Sequence, residues 1–229
     1  MTNGDELIPL DPGFGDRFAR QARPACQLYV VSPPAIVVAE FADHLRAALQ
    51  GGPVAAFQLR LKDVPDADVL RACAALLPIC QAHDVAFLLN DRADLAKAAG
   101  ADGVHLGQSD GGIKDARALL GPEAQIGRTC HDSRHLAMEA GEEGADYVAF
   151  GAFYETTTKP SHYRPAPEIL TWWTTISQLP CVAIGGITPA NAAPIVAAGA
   201  DFVAVVNAVW QHPDGPGAGV RAFEAVLGG

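Results

Sequence analysis

Short β-branched apolar runs alternate along this chain with Ala-rich stretches whose apolar residues recur at helical spacing. Candidate strands are 27–32 (QLYVVS), 55–62 (AAFQLRLK), 86–91 (AFLLND) and 103–108 (GVHLGQ), followed by 125–131 (QIGRTCH), 147–154 (YVAFGAFY), 181–187 (CVAIGGI) and 202–210 (FVAVVNAVW). Helical stretches such as ADHLRAALQ, DADVLRACAALLPICQAH, RADLAKAAG and IKDARALLG lie between them, and the series continues to GVRAFEAVLG near the end. Boundary signals support the alternation: Asp66 and Ser133 are predicted N-caps, and Gly100, Gly121, Gly144 and Gly199 each follow a last helical residue. Phrases of the type A-G-A-D recur at 98–102 and 197–201, with 143–146 related, and each reads as a helix end, a glycine turn and re-entry into the sheet.

Eight strand–helix units of roughly 25 residues each predict an α/β fold, a single (β/α)8 barrel over 27–229. Residues 1–26 form an N-terminal extension outside the repeat, with a short helix predicted around Asp16–Ala22. A doubly wound sheet is the alternative. The count of eight weighs against it, as does the lack of G-x-G-x-x-G after the first strand.

Parallel strands buried on both faces should be continuously apolar, so polar residues in them carry information. The second strand ends Gln58-Leu59-Arg60-Leu61-Lys62, which alternates an amide and two cations onto one face. Turned inward, they converge at the barrel mouth; turned outward, they make an exposed edge or a barrel-end ion network. Asn90, Asp91 and Arg92 end the third strand, and Asp110 follows the fourth. Two carboxylates on neighbouring strand ends suit a hard, oxygen-liganded ion such as Mg2+ bridging to phosphate. Asp91 read alone is equally an N-cap, and Asp110 alone caps the Gly111–Gly112 turn. The stretch Thr156-Thr157-Thr158-Lys159 offers hydroxyl and ammonium donors to a phosphate in a loop long enough for a lid, or is a plain solvated loop. Gly185-Gly186 and Val206-Asn207 end the last two strands, where many barrels hold a phosphate on backbone N–H groups. His105 and His131 are secondary candidates, whereas Trp172, Trp173, Cys73 and Cys80 read as packing.

Composition narrows the partners. Hydrophobic residues are 49% and charged residues 18%, ample for a core. A formal net charge of −10 argues against nucleic acid, which needs a basic surface, but leaves small anionic substrates open. Five scattered cysteines without C-x-x-C spacing predict reduced, buried thiols. No apolar run approaches the ~20 residues of a membrane span, and the acidic start lacks a secretory pattern. The expectation is a cytoplasmic protein with no membrane partner; a homo-oligomer is left open.

Several motifs in order resemble the thiamine-phosphate synthase family. They are Gln58-Leu59-Arg60-Leu61-Lys62, then Asn90-Asp91-Arg92, then Gly100 to Asp110 (GADGVHLGQSD), then Thr156 to Lys159 paired with Ile184-Gly185-Gly186-Ile187. The likeness runs from about Gln27 to Val209. It implies condensation of hydroxymethylpyrimidine diphosphate with hydroxyethylthiazole phosphate. Gln58 would read the aminopyrimidine. Arg60, Lys62, Asn90 and Lys159 would hold the diphosphate, with Arg60, Lys62 and Lys159 neutralising it as it leaves. Asp91 and Asp110 would ligate Mg2+. Thr156 and Thr158 would contact the thiazole phosphate, and Gly186 with Val206 and Asn207 its phosphate group. Thr129 stands among the substrate-binding residues where the family usually has Ser. Two prolines common in the family are Ala152 and Glu155 here, and a frequent Ser is Asn207. The rival readings are a related thiazole tautomerase and a non-catalytic binder of phosphorylated thiamine precursors.

Overall fold

A computed structural model describes residues 23–156 and 162–228. The strands are β1 (Gln27–Val31), β2 (Ala56–Leu59), β3 (Ala86–Asn90), β4 (Gly103–Leu106), β5 (Gln125–His131), β6 (Tyr147–Gly151), β7 (Cys181–Ile184) and β8 (Phe202–Val205). The helices are α1 (Val38–Leu49), α2 (Asp66–Gln81), α3 (Ala93–Ala99), α4 (Ile113–Leu120), α5 (Arg134–Glu143), α6 (Glu168–Ile176), α7 (Ala193–Ala197), α8 (Asn207–Trp210) and α9 (Pro216–Leu227). The strands pair in parallel in sequence order, and β8 returns to β1, which closes the barrel. The predicted (β/α)8 architecture is therefore the observed one. The helix predicted around Asp16–Ala22 lies outside the described residues.

Strand alternation divides the core in two. Leu28, Val30, Phe57, Leu59, Phe87, Leu89, Val104, Ile126, Val148, Phe150 and Val203 face outward and join the main cluster beneath the helices. Tyr29, Val31, Ala56, Leu88, Tyr147, Ala149, Val182 and Ala204 form a separate cluster inside the barrel. Glycine makes room for the large rings there. A Cβ on Gly127 would lie 1.9 Å from Cζ of Tyr147, the residue opposite it in the β5–β6 register.

The recurring A-D phrases do more than turn the chain. Asp102 accepts from Phe87 N (2.7 Å), Asp146 from Ile126 N (2.6 Å) and Asp201 from Cys181 N (2.8 Å). Each carboxylate sits just before an even-numbered strand and satisfies an amide at the start of the odd-numbered strand preceding it. This work is done at the end of the barrel away from the mouth. Arg117 and Arg23 add ion pairs to Asp146 and Asp201.

Some boundaries differ from expectation. Ser133 caps α5 by accepting from Leu136 N (3.2 Å), as predicted. Asp66 does not cap α2: Pro65 holds the cap position, and Asp66, one residue into the helix, pairs with Arg92 instead. Strand β2 stops at Leu59, so Arg60 and Lys62 lie in the loop beyond it. The last apolar run divides into β8 and the short α8. All five cysteines are free and buried, as their spacing implied. Burial pushes Cys26, Cys80, Cys130 and Cys181 up to about 12 and Cys73 up to about 11.

Candidate active site

The interior face of β2 carries Gln58 into the mouth, where it is 5% exposed. Just beyond, buried Ser32 fixes the backbone: its N donates to Gln58 O (2.9 Å), and its Oγ accepts from Arg60 N (2.8 Å). The backbone from which the Arg60 side chain extends is thereby fixed. Nη1 of the Arg60 guanidinium is buried and has no hydrogen-bond partner among the described residues. Burial lowers its pKa, and the nearby Asp91 carboxylate opposes that shift. A buried, unsatisfied charged donor costs more than the ~1–3 kcal/mol of a neutral one. Such an exception calls for a missing acceptor.

Asp91 occupies the left-handed region (φ 67°), which Asp tolerates better than most residues. It is not a helix cap, since Arg92 holds that position before α3. Its N donates to His105 O (2.8 Å), so the turn after β3 is pinned to β4. Its carboxylate pairs with Lys62 Nζ. The carboxyl group's pKa is raised. Burial raises it most, Lys62 opposes, and the adjacent Asp110 carboxylate raises it further.

Asp110 is held by its own loop. It accepts from Gly107 N (2.9 Å) and from Ser109 Oγ (3.3 Å), and a Cβ on Gly107 would lie 2.6 Å from its Oδ2. Arg128, on the outward face of β5, donates from Nη1 to Gly111 O (2.7 Å) and ties that loop down. Arg128 thus has a structural task beside a predicted metal ligand.

Below this rim runs a string of polar side chains. Gln58 Nε2 donates to Asn90 Oδ1 (2.6 Å), and Tyr29 OH donates to Gln58 Oε1 (3.0 Å). Tyr29 and Tyr147 share a hydrogen bond between hydroxyls (3.0 Å). Tyr147 OH meets His105 Nδ1 (3.0 Å), and His105 Nε2 meets Thr129 Oγ1 (2.8 Å). Gln108 Nε2 donates to Thr129 O and braces the other side of that residue.

Across the mouth, the segment after β6 packs onto the Gly185–Gly186 turn. Phe153 N donates to Ile184 O (3.1 Å) and Tyr154 N to Gly185 O (2.9 Å). Gly186 has φ 65°, and a Cβ there would lie 2.2 Å from Glu155 O. The glycine is thus required by the neighbouring loop, a reason additional to the expected approach of a phosphate. Val206 and Asn207 begin α8 beside this turn. Asn207 also lines a groove of about 230 Å3 with Pro33, Ile36, Glu40, Phe41 and Trp210. Thr156 is the last described residue before 162. Thr158 and Lys159 lie outside the described residues.

The structure therefore brings Gln58, Arg60, Lys62, Asn90, Asp91, Asp110 and Thr129 to one side of one rim. It places Gly186, Val206 and Asn207 at the ends of β7 and β8. Lys62 stands not as a free cation facing inward but as the partner of Asp91. Among the described residues, no group of three or more His, Cys, Asp or Glu is placed to hold a metal by itself. Ser32, Tyr29 and Tyr147 escaped the sequence reading. An aromatic inside an apolar strand carries no local sign that its hydroxyl is used.

No described helix is long and apolar enough to cross a membrane. The family described as "Thiamine monophosphate synthase" matches residues 28–209. Thiamine-phosphate synthase of Rhodospirillum centenum is 58% identical over 89% of this chain and 99% of its own. That of Hyphomonas neptunium is 53% identical over 90% of this chain and 96% of its own. Among solved structures, thiamine phosphate pyrophosphorylase from Pyrococcus furiosus superposes with a TM-score of 0.78 at 30% identity, covering 88% of this chain and 95% of that one.

Proposed function

The chain belongs to the thiamine-phosphate synthase family, and we propose that Gln58, Arg60, Lys62, Asn90, Asp91 and Asp110 hold the pyrimidine diphosphate while its diphosphate departs. The enzyme condenses hydroxymethylpyrimidine diphosphate with hydroxyethylthiazole phosphate, giving thiamine phosphate and diphosphate. The observation that carries the assignment of residues is Arg60 Nη1, a buried cationic donor without an acceptor among the described residues, beside the Asp91–Asp110 pair. A diphosphate oxygen would supply what it lacks.

The donor set fits Mg2+. Two carboxylates lie close enough that Asp110 raises the pKa of Asp91, and both are hard oxygen ligands. Asp91 and Asp110 would hold the ion, with phosphate oxygens and water filling its other positions, as is usual for Mg2+. When bound, it would neutralise charge building on the leaving group. Arg60 and Lys62 stabilise the same charge from the protein side, and Asn90 orients it. Lys159, from the loop after β6, would add a third cation. Gln58 fixes the aminopyrimidine so that the electron-rich ring ionises as diphosphate leaves, and the thiazole nitrogen captures it. Thr156, Thr158, Gly186, Val206 and Asn207 would hold the thiazole phosphate on the opposite side. No protein nucleophile takes part; positioning and charge stabilisation supply the rate.

The test is Asp91→Asn, with diphosphate release followed as Mg2+ is raised. Turnover is expected to fall at least ~100-fold, the usual effect of losing one preorganised electrostatic partner, with a higher Mg2+ requirement. Unchanged turnover and Mg2+ dependence would remove the metal assignment.

A further inference from the structure

We infer that Tyr29, Tyr147 and His105 are positioning residues that give the buried string a single hydrogen-bond direction, so that Thr129 presents an acceptor and Asn90 a donor to the substrate. Proton counting carries the inference. Gln58 Nε2 faces Asn90, so Gln58 Oε1 faces Tyr29 and can only accept. Tyr29 has one hydroxyl proton, and Gln58 takes it. The shared bond between the two tyrosines must then be donated by Tyr147. Tyr147 in turn has no proton left for His105, so His105 Nδ1 donates to it. A neutral imidazole carrying its proton on Nδ1 has a bare Nε2. Thr129 Oγ1 therefore donates to His105 Nε2.

With His105 neutral, the reverse direction is the one other self-consistent arrangement. It requires the Gln58 amide to turn over and every member to switch with it. The two directions show the mouth opposite faces. In the direction found, the Thr129 proton is committed downward and its lone pairs face the mouth. Asn90 Oδ1 is committed to Gln58, which leaves the Asn90 amide N–H groups for the mouth. An acceptor suits the exocyclic amine of an aminopyrimidine, and a donor suits diphosphate oxygens. The fold protects this direction. Tyr29 and Tyr147 are 3% and 7% exposed, with the Tyr147 ring stacked on His105 at 5.6 Å and edge-on to Tyr29 at 6.1 Å.

The inference rests on the condensation and substrate placement above, but its test does not need turnover. Full-length protein with 15N-labelled histidine is examined without ligand at about pH 8, above the ordinary imidazole range. Two-bond proton–nitrogen correlations show which ring nitrogen is protonated, and His105 is identified by its contacts with the Tyr147 ring. The expected result is a proton on Nδ1 and none on Nε2. A proton on Nε2 overturns the proposed direction and leaves the reaction untouched. Absence of condensation would remove the reaction and leave the tautomer standing.

Tyr29→Phe supplies the second arm. It removes the acceptor for Tyr147, frees that hydroxyl to donate to His105 Nδ1, and should move the proton to Nε2 from two hydrogen bonds away. Turnover should fall about tenfold, the effect of one net hydrogen bond, while KM for the thiazole phosphate stays within about twofold. A tautomer unmoved in both Tyr29→Phe and Tyr147→Phe overturns the inference. Should either variant fail to fold, the tautomer of the parent protein decides.

Discussion

Gly127→Ala adds one methyl group to the barrel interior, and its cost follows from the neighbours. The new Cβ would lie 1.9 Å from Cζ, 2.3 Å from Cε2 and 2.4 Å from the hydroxyl of Tyr147. Carbon atoms pack favourably at about 3.5–4.0 Å, so the ring must retreat or β5 and β6 must part. The ring is penned between His105 and Tyr29, and its hydroxyl makes two 3.0 Å hydrogen bonds. Overpacking costs about 1–3 kcal/mol, and each lost hydrogen bond adds about 1 kcal/mol. The expected total is roughly 3–5 kcal/mol, a large part of the ~5–15 kcal/mol that holds a typical protein together. For a chain of this size that corresponds to a fall in Tm of roughly 6–20 °C. Gly100→Ala is the control: it also meets a positive φ (68°), but nothing lies within 4 Å of its Cβ. It should cost only about 1–2 kcal/mol of backbone strain. The assay is thermal unfolding by circular dichroism at one scan rate. A Gly127→Ala midpoint within about 2 °C of the parent, or above that of Gly100→Ala, would show that the ring has room to move and refute the reasoning.

Two further outcomes follow from the rim. Arg60→Met should leave Tm unchanged or raised, because it removes a half-buried cation whose buried Nη1 has no partner among the described residues, while diphosphate release falls at least ~100-fold; a clear loss of stability with activity retained would contradict this. Arg128→Ala should free the loop carrying Asp110, whose neighbour Gly111 it holds. The Mg2+ concentration for half-maximal activity should rise up to about tenfold, with turnover at saturating Mg2+ within about twofold; a Mg2+ titration reads this, and an unchanged midpoint would refute the tether.

The barrel was legible because its signals are local. Each strand's apolar run and each helix's glycine stop lie within a few residues. The rim cations and carboxylates were legible because a charge such as Arg60 or Asp91 stands out in an otherwise apolar strand end. The rest depends on partners far apart in sequence. Tyr29 and Tyr147, 118 positions apart, look like ordinary core aromatics until the fold brings their hydroxyls together. The same is true of Ser32, whose hydroxyl anchors Arg60 across 28 positions. Asp66 misled for a related reason: it carries a capping side chain at a helix start, but Arg92, from another unit, claims it. For Lys62 the sequence left open a cation converging on the mouth and a member of an ion network, because its partner Asp91 belongs to the next strand's end.

The five sequestered thiols have a practical consequence. Reactivity follows the thiolate, and none of these sulfurs is accessible or easily ionised. A single cysteine introduced at Val37, which is 61% exposed and borders the groove that Asn207 lines, would be the fast-reacting handle in an unaltered background. A fluorophore attached there would report arrivals at the mouth of the barrel, with every native sulfur left in place.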